Sequence, residues 1–186
     1  MRKSFKNQPY VFPQPVFIIA TYDEEGNADA MNAAWGGISG EHELMMCLSA
    51  YHKTVKNILL KKEFTVSMGT RKTLVECDYF GIASGNKVKD KIKEVGFTTT
   101  KSELIDAPII NELPLTFGCR LISYDKETEI LRAEIVNCSA DESILTDGKI
   151  DVTKLEPISY NGVDFSYLVV KEKVGNAFKD GKKFIK

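Results

Sequence analysis

At 186 residues, with 43% hydrophobic and 27% charged residues, the chain is long enough for one domain with a full core. Its 25 basic and 26 acidic residues leave a formal net charge of -1, which removes the electrostatic case for nucleic acid or an anionic membrane as partner. No run approaches the roughly 20 apolar residues of a membrane span. Cys47, Cys77, Cys119 and Cys138 form no CxxC pair and meet no histidine cluster, so no metal-site pattern is present.

The start, MRKSFKNQPYVFPQPVFIIA, carries positive charge and then hydrophobes. Pro9, Pro13 and Pro15 interrupt it and no small-residue cleavage site follows, so it reads as an extended arm feeding a strand rather than a signal peptide. VFIIATY (16–22) is apolar on both alternations, which predicts a strand covered on both faces. DEEGN is then a hairpin turn, with Gly26 and Asn27 able to take positive φ. Residues 28–40 return as a second strand loosened by Gly36, Gly37 and Gly40, and LMMCLSA (44–50) is a third. The period changes in HKTVKNILLKK (52–62): Val55, Ile58, Leu59 and Lys62 fall on one helical face and Lys56 and Lys61 face away.

FTVSM (64–68) restores a strand. TLVECDYF (73–80) predicts a short helix, and KVKDKIKEVG (87–96) a firmer one stopped by Gly96. FTTTKSELIDAP is a loop with a short strand. LTFGCRLISYD and EILRAEIVNCS form the longest hairpin, joined at Asp125 to Thr128; residues 147–156 are polar loop, and ISYNGVDFSYLVV holds two short strands about Asn161-Gly162. Many short strands with a few interspersed helices predict a mainly β fold with helical additions (α+β), a β-barrel in a single domain over residues 1–186. The helix–strand alternation of a doubly wound sheet is missing, as is any GxGxxG turn. Cys47 and Cys138 lie in apolar runs and read as small buried hydrophobes; reduced thiols point to the cytoplasm.

Lys53 and Thr54 make the sharpest local chemical argument. A helix start carries partial positive charge and favours acidic residues, yet this helix has none in its first turn and has Lys53 instead. A bound phosphate of roughly -2 charge turns that penalty into attraction; a solvated lysine with a locally bonded threonine is the plainer alternative. On the helix of 87–96, Lys91 lies closest to the apolar face of Val88, Ile92 and Val95, while Lys89 and Lys93 point out. It either snorkels or reaches a ligand. Trp35, the single tryptophan, is a core, interface or ligand-stacking residue. His42 is expected in an exposed loop. His42 and His52 are too isolated for a nucleophilic or metal site, and no side chain stands out as a catalytic acid, base or nucleophile.

NADAMNAAWGGISGEHELMMCLSAYHKT (27–54), continued by CDYFGIASGNKVKDK and SELIDAP, resembles the flavin-gripping segments of the flavin reductase-like family, most closely its flavoredoxin branch. The resemblance implies an FMN-binding split β-barrel and FMN as cofactor. It implies that Asn32, Ala33, Ala34 and Trp35 line the ring, and that Asp29, Ala30, Met31, Leu48, Ser49, Ala50 and His52 also belong to the cofactor site. Lys53 and Thr54 would take the phosphate, Lys91 the phosphate or ring edge, and Ser84 and Gly85 a close-approach loop. Cys77 and Asp78 would lie near ring or phosphate. Phe165, with Tyr160 and Tyr167, would cover the flavin from a neighbouring subunit of a homodimer. The family usually carries arginine where this chain has Lys53, and often threonine where it has Asn32; the first exchange loses a bidentate phosphate grip. The implied function is an FMN oxidoreductase or electron carrier, fed by NAD(P)H or a redox protein. The alternatives are a non-catalytic FMN- or haem-binding sensor or store, and a structural barrel that has lost its ligand.

Overall fold

The computed structural model describes residues 1–185. An exposed N-terminal arm leads to β1 (Gln14–Pro15) and β2 (Phe17–Tyr22). A turn with Gly26 at φ +84° returns the chain as β3 (Ala28–Ala33). The single strand expected over 28–40 is broken at Ala34 and Trp35, and β4 (Gly36–Gly40) pairs instead with β5 (Glu43–Cys47). That pairing is close: a Cβ on Gly36 would stand 2.7 Å from the Met46 side chain and 2.9 Å from the Met45 carbonyl, so only glycine fits there. β5 stops at Cys47, short of the expected end. Beyond it, Leu48 N–H donates to the Glu129 carbonyl and Ala50 N–H to the Glu129 carboxylate.

α1 (Lys53–Lys61) buries Thr54, Val55, Asn57 and Ile58. Lys62, expected on its apolar face, instead ends the helix at φ +64°, donates its N–H to the Ile58 carbonyl and is exposed. β6 (Glu63–Met68) and α2 (Leu74–Ile82) follow. The helix expected over 87–96 shrinks to α3 (Lys91–Glu94), because the Lys87 and Val88 N–H groups turn back onto the Ser84 carbonyl. β7 (Thr99–Lys101) pairs with β8 (Pro108–Ile110), and β9 (Leu115–Tyr124) with β10 (Ile130–Ala140). β11 (Leu145–Thr146), β12 (Lys149–Ile150) and α4 (Val152–Leu155) give structure to a stretch expected to be mostly loop. β13 (Ile158–Asn161) and β14 (Ser166–Val169) form a small sheet with β1, after which residues 170–185 are exposed. No helix among the described residues is long and apolar enough to cross a membrane.

Seven strands make one antiparallel sheet in the order β3-β2-β6-β9-β10-β5-β4. It curls, since Met31 and Ala33 near one edge share a core with Leu44 and Met46 near the other, closed by Val55 and Ile58 of α1. β2 is the wall between two cores. Phe17 and Ile19 face that inner core, while Val16, Ile18 and Ala20 face a second one holding Cys77, Phe80, Ile92 and Ile158. Burying one such side chain is worth about 1.5–3 kcal/mol, and double coverage is why β2 reads as unbroken apolar sequence. Two expectations for cysteines are corrected: Cys47 and Cys138 lie on outward alternations and are exposed, whereas Cys77 and Cys119 are buried.

Candidate functional site

Where α1 opens, it faces the far end of β3 and the loop that links α2 to α3. Between them lies a cavity of about 250 Å³. Met31, Asn32, His52, Lys53, Thr54, Ser84, Gly85 and Lys91, all expected from the sequence, line it together with Phe80 to Ala83. His52 precedes α1 as its N-cap residue, and among the described residues no side chain caps the helix and no acidic residue lies in its first turn, so its first N–H groups keep their positive end of the dipole unneutralised. Asn86 Nδ2 donates to the Tyr51 carbonyl at 3.0 Å and ties the Ser84–Lys87 loop to that helix start.

Below the cavity sits a buried charge cluster. Lys91 Nζ lies 3.7 Å from Asp29 Oδ1, with side chains 2% and 1% exposed, and donates to the Ala83 carbonyl at 3.0 Å. Burial pushes the Lys91 ammonium below its ordinary range and Asp29 pulls it back up. Thr54 Oγ1 donates to Asp29 Oδ2 at 2.6 Å, so its one proton is engaged within the protein. Asp29 Oδ1 is buried and has no hydrogen-bond donor among the described residues. A Cβ on Gly85 would stand 2.7 Å from that oxygen, which explains a glycine at this point of the loop.

Lys53 stands between this cavity and a wider cleft of about 590 Å³ formed by the β2–β3 turn and Lys56, Lys89 and Asp90. Its Nζ is 3.1 Å from Asp23 Oδ2. Burial alone would raise the Asp23 carboxyl, but the Asn27 N–H and Lys53 outweigh it and hold the group below the usual carboxylate range. Asp23 was missed by sequence reasoning: DEEGN announces a turn, and nothing local announces the lysine that meets it.

The other expected residues divide. Asn32 Nδ2 donates to the Cys77 carbonyl at 2.9 Å, fixing β3 on α2. The Cys77 thiol is buried and pushed up to about 11 by that burial, so Cys77 serves this contact through its backbone. Asp78 accepts from the Tyr167 hydroxyl at 2.7 Å, and Tyr167 stacks edge-on to Tyr160. Ala30, Ala33 and Leu48 are core residues whose side chains do not line the cavity, because β3 and the end of β5 point them into the two cores. Ala34, Ser49 and Ala50 are half-buried and outside its lining. Trp35 is 56% exposed on a separate apolar cleft with Ile38, Met45 and Ile130. Phe165 is exposed at the β13–β14 turn with φ +60°.

The family model described as the flavin reductase like domain matches residues 10–157. The flavoredoxin of Desulfovibrio vulgaris (Miyazaki F) superposes with a TM-score of 0.93 at 32% identity, covering 98% of this chain and 100% of that one. A flavoredoxin from Methanosarcina acetivorans gives 0.87 at 26% identity, covering 98% of each. An uncharacterized protein of Aquifex aeolicus (strain VF5) is 22% identical over 82% of both chains. The curled sheet is therefore the split barrel that the resemblance implied, and, by its family match over most of its length, the chain belongs to the flavin reductase-like family.

Proposed function

We propose that this chain is an FMN-dependent oxidoreductase or electron carrier that works as a homodimer. The observation that carries the reading is the uncapped start of α1 beside the inward-turned Lys91, with Lys53 between cavity and cleft and Gly85 in the cavity lining. Two cations and free helix N–H groups fit the phosphate end of a flavin mononucleotide. Lys53 and the first N–H groups of α1 would hold the phosphate, with Lys91 beneath it. Thr54 positions Asp29, and Asp29 keeps Lys91 charged and aimed at the cavity. Met31 and Asn32 at the rim would meet the rest of the ligand. Bound FMN would supply a ring that takes up a hydride or single electrons and passes them on. No side chain of this site is required as acid, base or nucleophile.

The volume also supports a dimer. About 250 Å³ falls below the roughly 300–1,000 Å³ of whole small-molecule sites, so the cavity suits one end of the ligand and leaves the ring to be covered from outside. The exposed cleft at Trp35 and the exposed Phe165 are candidate contact surfaces for a second copy. NAD(P)H or a redox protein would be the electron donor, and work in the cytoplasm goes with free thiols at all four cysteines. The test is the visible spectrum of the purified protein, then chromatography of whatever denaturation releases. Stoichiometric FMN is the expected outcome, with Lys53→Ala weakening its binding; a colourless protein that does not take up added FMN would sink the reading.

A further inference from the structure

We infer that Asp23 is a latch on Lys53 that competes with the ligand's phosphate and so limits how firmly the site retains it; this rests on the FMN reading above. Among the described residues, Lys53 is the one cation that lines both the cavity and the neighbouring cleft, and it is committed to the cleft side by the 3.1 Å contact with Asp23 Oδ2. The carboxylate cannot follow the lysine inward. Its Oδ1 accepts the N–H groups of Glu25 at 3.1 Å and Asn27 at 2.8 Å, and the Asp23 N–H donates to the Asn27 carbonyl at 2.9 Å. Asp23 belongs to the rigid turn, whereas Lys53 has a flexible four-carbon stem.

The charges on either side explain both positions of the lysine. Towards the cavity stands Lys91, which repels Lys53. Towards the cleft stand Asp23, Glu24, Glu25 and Asp90, against Lys56 and Lys89. With no anion present, Lys53 is better placed on Asp23. A phosphate dianion in the cavity reverses the balance, since it draws Lys53 and Lys91 together and leaves Asp23 to water. An arginine could reach two oxyanions at once with its forked donors. A single ammonium is a point charge, and at this position it must leave one partner to serve the other. The side chains of Lys53 and Asp23 are only 24% and 12% exposed, so solvent screens this exchange less than it would an open surface pair.

The experiment compares Asp23→Asn with Glu24→Gln, the same charge change on an exposed neighbour in the same cleft, where Lys53 is ion-paired to Asp23 instead. Asparagine keeps an Oδ1 acceptor for the two turn N–H groups, and thermal melting checks that the turn survives. FMN is titrated into the flavin-free chain by fluorescence quenching, its release is timed, and inorganic phosphate is titrated as competitor. Asp23→Asn should tighten FMN and phosphate together by roughly 2- to 10-fold and slow FMN release. Glu24→Gln should change little, and the gain should vanish on a Lys53→Ala background. Equal gains in both variants would mean general charge repulsion and overturn the latch, as would a gain that persists without Lys53 or no gain while the parent binds FMN normally. Failure of every variant and the parent to bind FMN would overturn the reading beneath it.

Discussion

Lys91→Met removes one half of the buried pair under the cavity while keeping a side chain that can fill its space. The Asp29 carboxylate would then be left 1% exposed, with one oxygen held by Thr54 and the other, without a donor among the described residues, stripped of the Lys91 counter-charge. Stranding a buried charge in this way costs about 3–5 kcal/mol. At roughly 2–4 °C per kcal/mol for a domain of this size, the melting temperature should fall by about 6–20 °C. Adding Asp29→Asn removes the stranded charge and leaves an amide oxygen for Thr54, so the double variant should recover most of the loss. Urea titrations of the parent, both single variants and the double variant give the coupling directly. A Lys91→Met variant within about 1 kcal/mol of the parent would refute the argument, and so would a double variant no more stable than the single one. The restored double variant should still bind FMN poorly, because the cation is gone while the fold is intact.

Gly85→Ala should destabilise by about 1–3 kcal/mol, because its new Cβ meets a carboxylate pinned by Thr54; unchanged melting would count against that close fit. The buried Lys91 has a lowered folded-state pKa, so its charged form opposes folding at neutral pH, and that cost fades as pH rises through the folded value towards the unfolded value of about 10.4. Stability measured across that alkaline window should therefore rise more in the parent than in the Asp29→Asn/Lys91→Met variant. The hydroxyls of Thr153 and Thr146 hold Asp151 down to about 2, so its contribution to the α4 cap is present above the ordinary carboxylate value and lost as pH falls towards 2, which Asp151→Asn should abolish in an acid titration. Burial pushes Cys119 up to about 12 and Cys77 to about 11; both should resist a thiol reagent until the chain is unfolded, while Cys138 reacts in the native protein.

What could be read along the chain was whatever depends on near neighbours. The double-sided apolar run of β2 announced its two cores. Lys91 is turned inward as expected, but from the first turn of a four-residue helix and not from the longer one whose spacing suggested it. Most residues lining the cavity were named only through the family resemblance, and Phe80 to Ala83 were not expected at all. Contacts distant in sequence were not legible. Nothing in residues 28–40 tells that Gly36 must clear Met46, so the break at Trp35 was invisible. Nothing in KVKDK tells that the Ser84 carbonyl takes the N–H groups that would have begun a longer helix. Asp23 was hidden similarly: its turn is local, but its partner lies on another element. Thr54 shows a subtler limit, since its residue type fits a phosphate donor while its proton goes to a buried carboxylate.

The placement of Trp35 outside both cores has a spectroscopic consequence. The only indole in the chain is more than half exposed on an apolar cleft, while the two cores are filled by phenylalanine, isoleucine, valine and methionine. Tryptophan emission is therefore a poor reporter of whether the barrel is folded and a selective one of what covers that face. A blue shift that grows with protein concentration while the circular dichroism stays constant would be the optical signature of that face closing against another surface.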